Sequence, residues 1–383
     1  MLYAKRTSPV RFLTNLACIA VFWLIAGSSC SAQVNLTELD LSAKKTYLLK
    51  TTDGKRYAGR VDAYDGTGLV MTRRNGRIVI LEPDEIESIK KVEDSFSPKT
   101  FEQIRAQLQK EFGSKYVVSQ TRHFLVVHPP GDYEMWALPF EQLYVRFQTY
   151  FKSRGLIVSE PEFPMVAIVL RTRNEFVQIG KGRNFPSGVI GYYAFHSNRL
   201  IAYQQKSRRR SSSRNWSETM NTIIHEATHQ TAANVGIHSR LGVNPRWVTE
   251  GLATMFEAKG VNNYFKYPEF KTRINWERLY DLRRLYDEGK VKGSVAELVT
   301  SDQLFEKDPQ RAYAVSWALS LYLAERNPRR YVEYLELLQK EPMTSSLSRS
   351  NRAKYFFKSF GKPAGIEADL RRFIDRIPQS EDK

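Results

Sequence analysis

The chain has 383 residues, 42% hydrophobic and 26% charged, a balance that marks a globular protein long enough for a sizeable core in two or three units. Its formal charge of +17 and pI near 9.7 favour anionic neighbours, whether envelope polymers, lipid headgroups, acidic proteins or nucleic acid, and do not choose among them. With only two cysteines, Cys18 and Cys30, a disulfide-stapled scaffold is excluded.

Lys5, Arg6 and Arg11 precede an apolar run over residues 12–26, and small residues follow over 27–32. This pattern predicts a secretory leader over residues 1–32, cleaved after Ala32. Lipidation at Cys30 is the alternative, but Gly27 stands where a lipobox usually carries Leu. Cleavage after Ala32 removes both cysteines, so the exported protein is expected to hold together by packing alone in the periplasm, the cell envelope or outside the cell. No later run has the apolar length needed to span a bilayer, so no transmembrane segment is expected after signal cleavage.

A first unit is expected over residues 36–94. Alternating runs at 47–51, 57–64, 69–73, 77–81 and 86–91 read as strands, separated by Asp53-Gly54, Asp65-Gly66 and Asn75-Gly76, dipeptides that favour tight hairpin turns. A small curled sheet of this kind resembles SH3-like and Sm-like barrels, which implies a docking module or a structural appendage.

Ser95-Phe96-Ser97-Pro98 marks a boundary, and residues 98–236 read as a mixed α/β lobe. Helices are predicted at 99–111, 138–152 and 173–179, and strands at 116–118, 124–128 and 166–170. Segments 191–195 and 200–204, joined through Ser197-Asn198, form a predicted hairpin. His123, His128 and His196 lie in or beside apolar, strand-like runs, where an isolated histidine serves the core or an edge rather than a metal. Residues 207–214, rich in arginine and serine, are too polar to pack and lack the interleaved aromatics of a nucleic-acid surface. A solvated loop is expected there, and nucleic acid is not an expected partner. Four arginines overhanging a cleft would favour acidic substrates.

His225-Glu226-Ala227-Thr228-His229 carries the densest chemistry in the chain. On a helix, positions i and i+4 share a face, so the two imidazoles can grip one Zn²⁺. Glu226 lies about 100° round the helix, where a carboxylate can take a proton from an activated water and return it to a leaving amine. Ser217 reads as the N-cap of this helix and Gly236 as its stop. A second helix is predicted over 245–257, beginning at Pro245. It offers Glu250 as the third ligand, and the small Gly251 and Ala253 would let it approach the first helix closely. Two histidines and one glutamate leave a coordination position for water. Glu257 is placed either to orient a ligating histidine or in a plain surface salt bridge. Further helices are predicted at 276–288, 309–326, 328–340 and 366–377, so that residues 237–378 form a helical lobe carrying the third ligand, with the catalytic groove between the lobes.

HEATHQ followed by WVTEGLATMFE resembles the gluzincin, or thermolysin-like, zinc peptidases of the MA clan, and most of all their peptidase-MA-like branch. Residues 312–323 are similar to the helix that follows in that branch, and the resemblance spans about residues 115–375. It implies an α+β fold, with a zincin-like catalytic domain of mixed sheet and active-site helices, a helical C-terminal lobe and the small β domain in front. It also implies a zinc metallopeptidase acting on a peptide or protein substrate, with Tyr313 as hydrogen-bond donor to the oxyanion and His238 or Tyr192 as alternatives. By the same resemblance, residues 200–203 form the cleft edge that pairs with an extended substrate. The rival expectation is a catalytically inactive, peptidase-like protein that binds peptides or cell-envelope polymers.

Overall fold

The computed structural model describes residues 41–380 except 66, 132, 181–184, 187, 206–211, 243 and 342–346. The expected leader, Cys18, Cys30, Gly66 and most of the arginine-rich loop lie outside the described residues. The fold is mixed α+β, with two five-stranded sheets and fourteen α-helices among the described residues. None of these helices is long and apolar enough to cross a membrane.

The chain divides into two compact units. Of the described residues, one unit holds those up to Arg73 together with those of Val79–Ser97 and Gly180–Val189, and the other holds those of Arg74–Ile78, of Pro98–Ile179 and from Ile190 onward. Apart from residues 180–189, the described residues of 98–236 and of 237–378 therefore fall in one unit. The first sheet contains β1 (Thr46–Thr51), β2 (Arg56–Asp65), β3 (Gly68–Arg73), β4 (Ile78–Leu81) and β5 (Ile86–Glu93) in the order β4-β3-β2-β1-β5. These are the five alternating runs of the sequence. Their inward positions Leu49, Val61, Leu69, Met71 and Ile86 make a small apolar core, and Gly54 and Gly76 supply the positive φ that the turns require.

The second sheet contains β6 (Val117–Gln120), β7 (Phe124–His128), β8 (Met165–Leu170), β9 (Gly191–Ala194) and β10 (Arg199–Tyr203) in the order β6-β7-β8-β10-β9. The central strands β7, β8 and β10 run parallel, and β6 and β9 flank them antiparallel. Leu200–Tyr203 is thus paired on both sides, to β8 and to β9, and cannot be the cleft edge that the family resemblance assigns to it. On that side the outermost strand among the described residues is β9, and β6 lies at the opposite edge. The reversal comes from the parallel return of β10 to β8, a non-local pairing that leaves no mark on hairpin spacing.

Helices α1 (Phe101–Phe112), α2 (Tyr133–Trp136), α3 (Leu138–Lys152), α4 (Arg173–Ile179) and α5 (Ser212–Asn234) accompany this sheet. After them come α6 (Arg246–Phe256), α7 (Lys259–Asn262), α8 (Trp276–Asp287), α9 (Ser294–Thr300), α10 (Leu304–Lys307), α11 (Pro309–Arg326), α12 (Pro328–Gln339), α13 (Arg349–Phe360) and α14 (Pro363–Asp375). One continuous apolar core links the sheet, α3, α5, α6 and α11, with Trp247, Phe256 and Trp317 fully buried in it. Gln230 fixes α5 to the sheet by donating from Nε2 to the Val166 and Asn198 carbonyls at 3.0 and 2.9 Å.

Neither proline nor glycine interrupts Ser212–Asn234, so α5 starts earlier than expected and Ser217 lies inside the helix rather than capping it. Gly236 ends it with φ of +80°, and the Ile237 N–H returns to the Ala232 carbonyl at 2.9 Å, a Schellman-type close. The nearest atom to an added Cβ there is Ser159 Oγ at 3.8 Å, so the constraint on Gly236 is its backbone conformation and not space. Gly236→Ala is expected to lower unfolding stability by about 1–2 kcal/mol in a denaturant titration, and an unchanged midpoint would contradict this assignment.

Candidate metal centre

His225 and His229 project one turn apart from α5, toward α6. Ala227, Thr231 and Ala232 are buried along with His225, while His229 is partly exposed. Helix α6 starts behind Pro245, and every residue from Trp247 to Phe256 is buried. It brings Glu250 over the histidine pair. His225 Nε2 lies 3.1 Å from His229 Nε2 and 3.3 Å from Glu250 Oε2, and His229 Nε2 lies 3.6 Å from the same carboxylate oxygen. Donors held tetrahedrally at about 2.1 Å from one ion would stand about 3.4 Å apart. The three atoms match that triangle. Among the described residues they form one group of metal-ligating side chains able to hold a metal ion.

The chemistry of the donors agrees with their spacing. His225 Nδ1 lies 2.6 Å from Glu257 Oε1, and Asn275 Nδ2 donates to Glu257 Oε2 at 2.7 Å. A neutral His225 that donates its Nδ1 proton to Glu257 turns its Nε2 lone pair toward His229 and Glu250. Three lone pairs then face one point in a buried site, an arrangement that repels unless a cation lies between them. Burial opposes charge on His225, but hydrogen bonds to Glu250 and Glu257 outweigh it and raise the imidazole to about 10. Burial likewise pushes Glu250 upward, yet the His229 charge and the bonds to both histidines hold it well below the ordinary carboxylate range. Glu257 therefore orients a histidine and is no plain surface pair.

Glu226 sits beside this triangle and not in it. Its Oε2 accepts the Tyr193 N–H from edge strand β9 at 2.8 Å. Glu226 is 2% exposed, and burial raises its pKa against the opposing charges of His225 and His229.

Tyr313, on α11, lies near Glu250. Its ring meets Phe305 edge-on at 5.3 Å and lies under the Arg278 guanidinium at 5.6 Å. The hydroxyl is shielded and makes no hydrogen bond among the described residues. Burial, followed by the charge of Glu250, holds it well above the usual phenol range. His238 is buried as well, its Nε2 without a hydrogen-bond partner among the described residues, and burial reinforced by His229 depresses it to about 3. Tyr192 packs its ring against Phe176 at 5.5 Å.

Two contributors escaped the sequence reading. Arg246 lies four residues before Glu250, with Nε 3.9 Å from Glu250 Oε1 and its guanidinium over the Phe305 ring at 4.5 Å. The i,i+4 spacing was available to reveal it. Asn275 caps α8 by accepting the Arg278 N–H, which its position predicts, but its bond to Glu257 is a tertiary contact with no local signal.

Gly251 works differently from expectation. A Cβ there would collide with Ser320 Oγ and stand 2.5 Å from the Ser316 carbonyl oxygen, both on α11. The missing side chain sets how closely α6 approaches α11, and not its approach to α5.

Residues 219–344, about a third of the chain, match the family model described as "Protein of unknown function (DUF1570)". That span includes His225, Glu226, His229, Glu250 and Tyr313. No curated protein matches the chain.

Gly251→Ala should overpack the α6–α11 contact at a cost of about 1–3 kcal/mol and displace the neighbouring Glu250. Metal affinity, measured by competition with a chromophoric chelator, is expected to fall. Wild-type affinity in that variant would show that the close approach does not position the carboxylate.

Proposed function

We propose that this chain is an exported zinc-dependent metallopeptidase of gluzincin type, in which His225, His229 and Glu250 hold the ion and Glu226 moves the proton. The observation that carries this reading is the convergence of two imidazole nitrogens and one carboxylate oxygen, 3.1 to 3.6 Å apart, with a second buried carboxylate alongside. Two nitrogen donors and one oxygen donor suit Zn²⁺, and three protein ligands are the number that leaves an open position. The HEATHQ and WVTEGLATMFE segments add the likeness to zinc peptidases.

When bound, zinc supplies Lewis-acid activation of water and of the scissile carbonyl. The remaining work falls to the chain. Glu226, its pKa raised by burial, takes a proton from the attacking water and returns it to the departing amine. Glu257, fixed by Asn275, keeps His225 in the tautomer that ligates through Nε2. Tyr313 is the proposed donor to the oxyanion, reaching it from beside Glu250. An extended peptide would add to the free edge of β9, whose Tyr193 N–H already meets Glu226, so that main-chain pairing lays the scissile bond across the site. The N-terminal sheet, read as an SH3-like or Sm-like barrel, would serve as a docking module, and the basic surface would favour anionic envelope material.

The decisive comparison is Glu226→Gln against wild type, with metal content and peptide cleavage measured on the same preparations. The variant should retain one equivalent of zinc while cleavage falls by about 10²–10⁴-fold. Undiminished cleavage would overturn the assigned role. Wild-type protein that holds zinc but cleaves nothing in a diverse peptide library would favour a peptide-binding protein without turnover.

A further inference from the structure

Away from the metal centre, α3, α7 with the loop after it, and the α11–α12 junction enclose a cavity of about 470 Å³. Pockets of this volume are the size of small-molecule sites. Its walls are largely apolar, formed by Tyr150, Val261, Tyr264, Phe265, Ala324 and Pro328. Tyr264 and Phe265 are 52% and 79% exposed, two consecutive aromatic side chains left in water beside a cavity.

The polar complement is lopsided: three guanidinium groups, of Arg146, Arg154 and Arg273, face one carboxylate, Glu325. Glu325 is shared, with Arg273 Nη1 at 2.7 Å from one oxygen and Arg154 Nη2 at 3.5 Å from the other. Arg146 instead donates to the neutral Gln142 Oε1 at 3.2 Å and has no carboxylate partner among the described residues. Burial depresses this guanidinium, opposed only by the nearby Tyr267. A guanidinium fork in that setting is a receptor for an oxyanion.

We propose that this cavity binds a small amphipathic anion, an aromatic or alkyl body carrying one carboxylate, with the body between Tyr264, Phe265 and Val261 and the head group on Arg146. The proposal is independent of the metal centre. It is tested on the full-length exported chain with 1-anilinonaphthalene-8-sulfonate as anionic probe and N-phenyl-1-naphthylamine as its neutral counterpart. Arg146→Gln should weaken the anionic probe by about tenfold or more and leave the neutral one unaffected. Phe265→Ser, at an exposed position that the core does not need, should weaken both. Displacement of the anionic probe by dodecanoate identifies alkyl carboxylates as occupants, and displacement by 3-phenylpropionate identifies aromatic ones. The proposal fails if Arg146→Gln leaves the anionic probe unchanged, or if neither carboxylate displaces it.

Discussion

Three electron-pair donors aimed at one buried point repel each other, and the architecture around α5 and α6 exists to hold them there. His225 is held through Nδ1 by Glu257, and Glu250 sits on a helix buried along almost its whole length. A cation turns the same geometry into net attraction, so binding the ion and completing the fold are thermodynamically linked.

That geometry is supported from several directions. The sheet anchors α5 through Gln230, the absent side chain of Gly251 seats α6 against α11, and the Asn275–Glu257–His225 chain orients one imidazole. Each support lies on a different element, which explains why a three-atom site draws on so much of the larger unit. The edge strand β9 joins the same system through the Tyr193 N–H on Glu226, so a polypeptide paired to that strand would arrive next to the proposed base. The proposed peptidase reading rests on this juxtaposition of a free strand edge, a buried carboxylate and the ligand triangle.

Much of this was legible in the sequence, because the relevant signals were local. The i,i+4 histidines, the proline at the start of α6, the glycine after α5 and the alternating runs of the first sheet all obey short-range rules of side-chain direction and turn geometry. Non-local relations were not legible. The placement of β10 inside the sheet and β9 at its edge follows from a crossover, and the partner of Gly251 is a helix more than sixty positions away, on residues that read simply as core. Helix α13 was missed because its basic, polar sequence hides the pair Phe356 and Phe360 that packs it, although Ser348 caps it by accepting the Asn351 N–H. The asymmetry of charge around Glu325 is also invisible in sequence, since Arg146 and Arg154 come from α3 and the turn after it, while Arg273 and Glu325 lie more than a hundred positions on.

The most direct test of the central claim is anomalous diffraction at the zinc absorption edge from crystals of the zinc-loaded protein. The account predicts one strong peak within about 2.0–2.2 Å of His225 Nε2, His229 Nε2 and a Glu250 carboxylate oxygen together. A protein that takes up zinc elsewhere, or a peak that Glu250 does not reach, would contradict it.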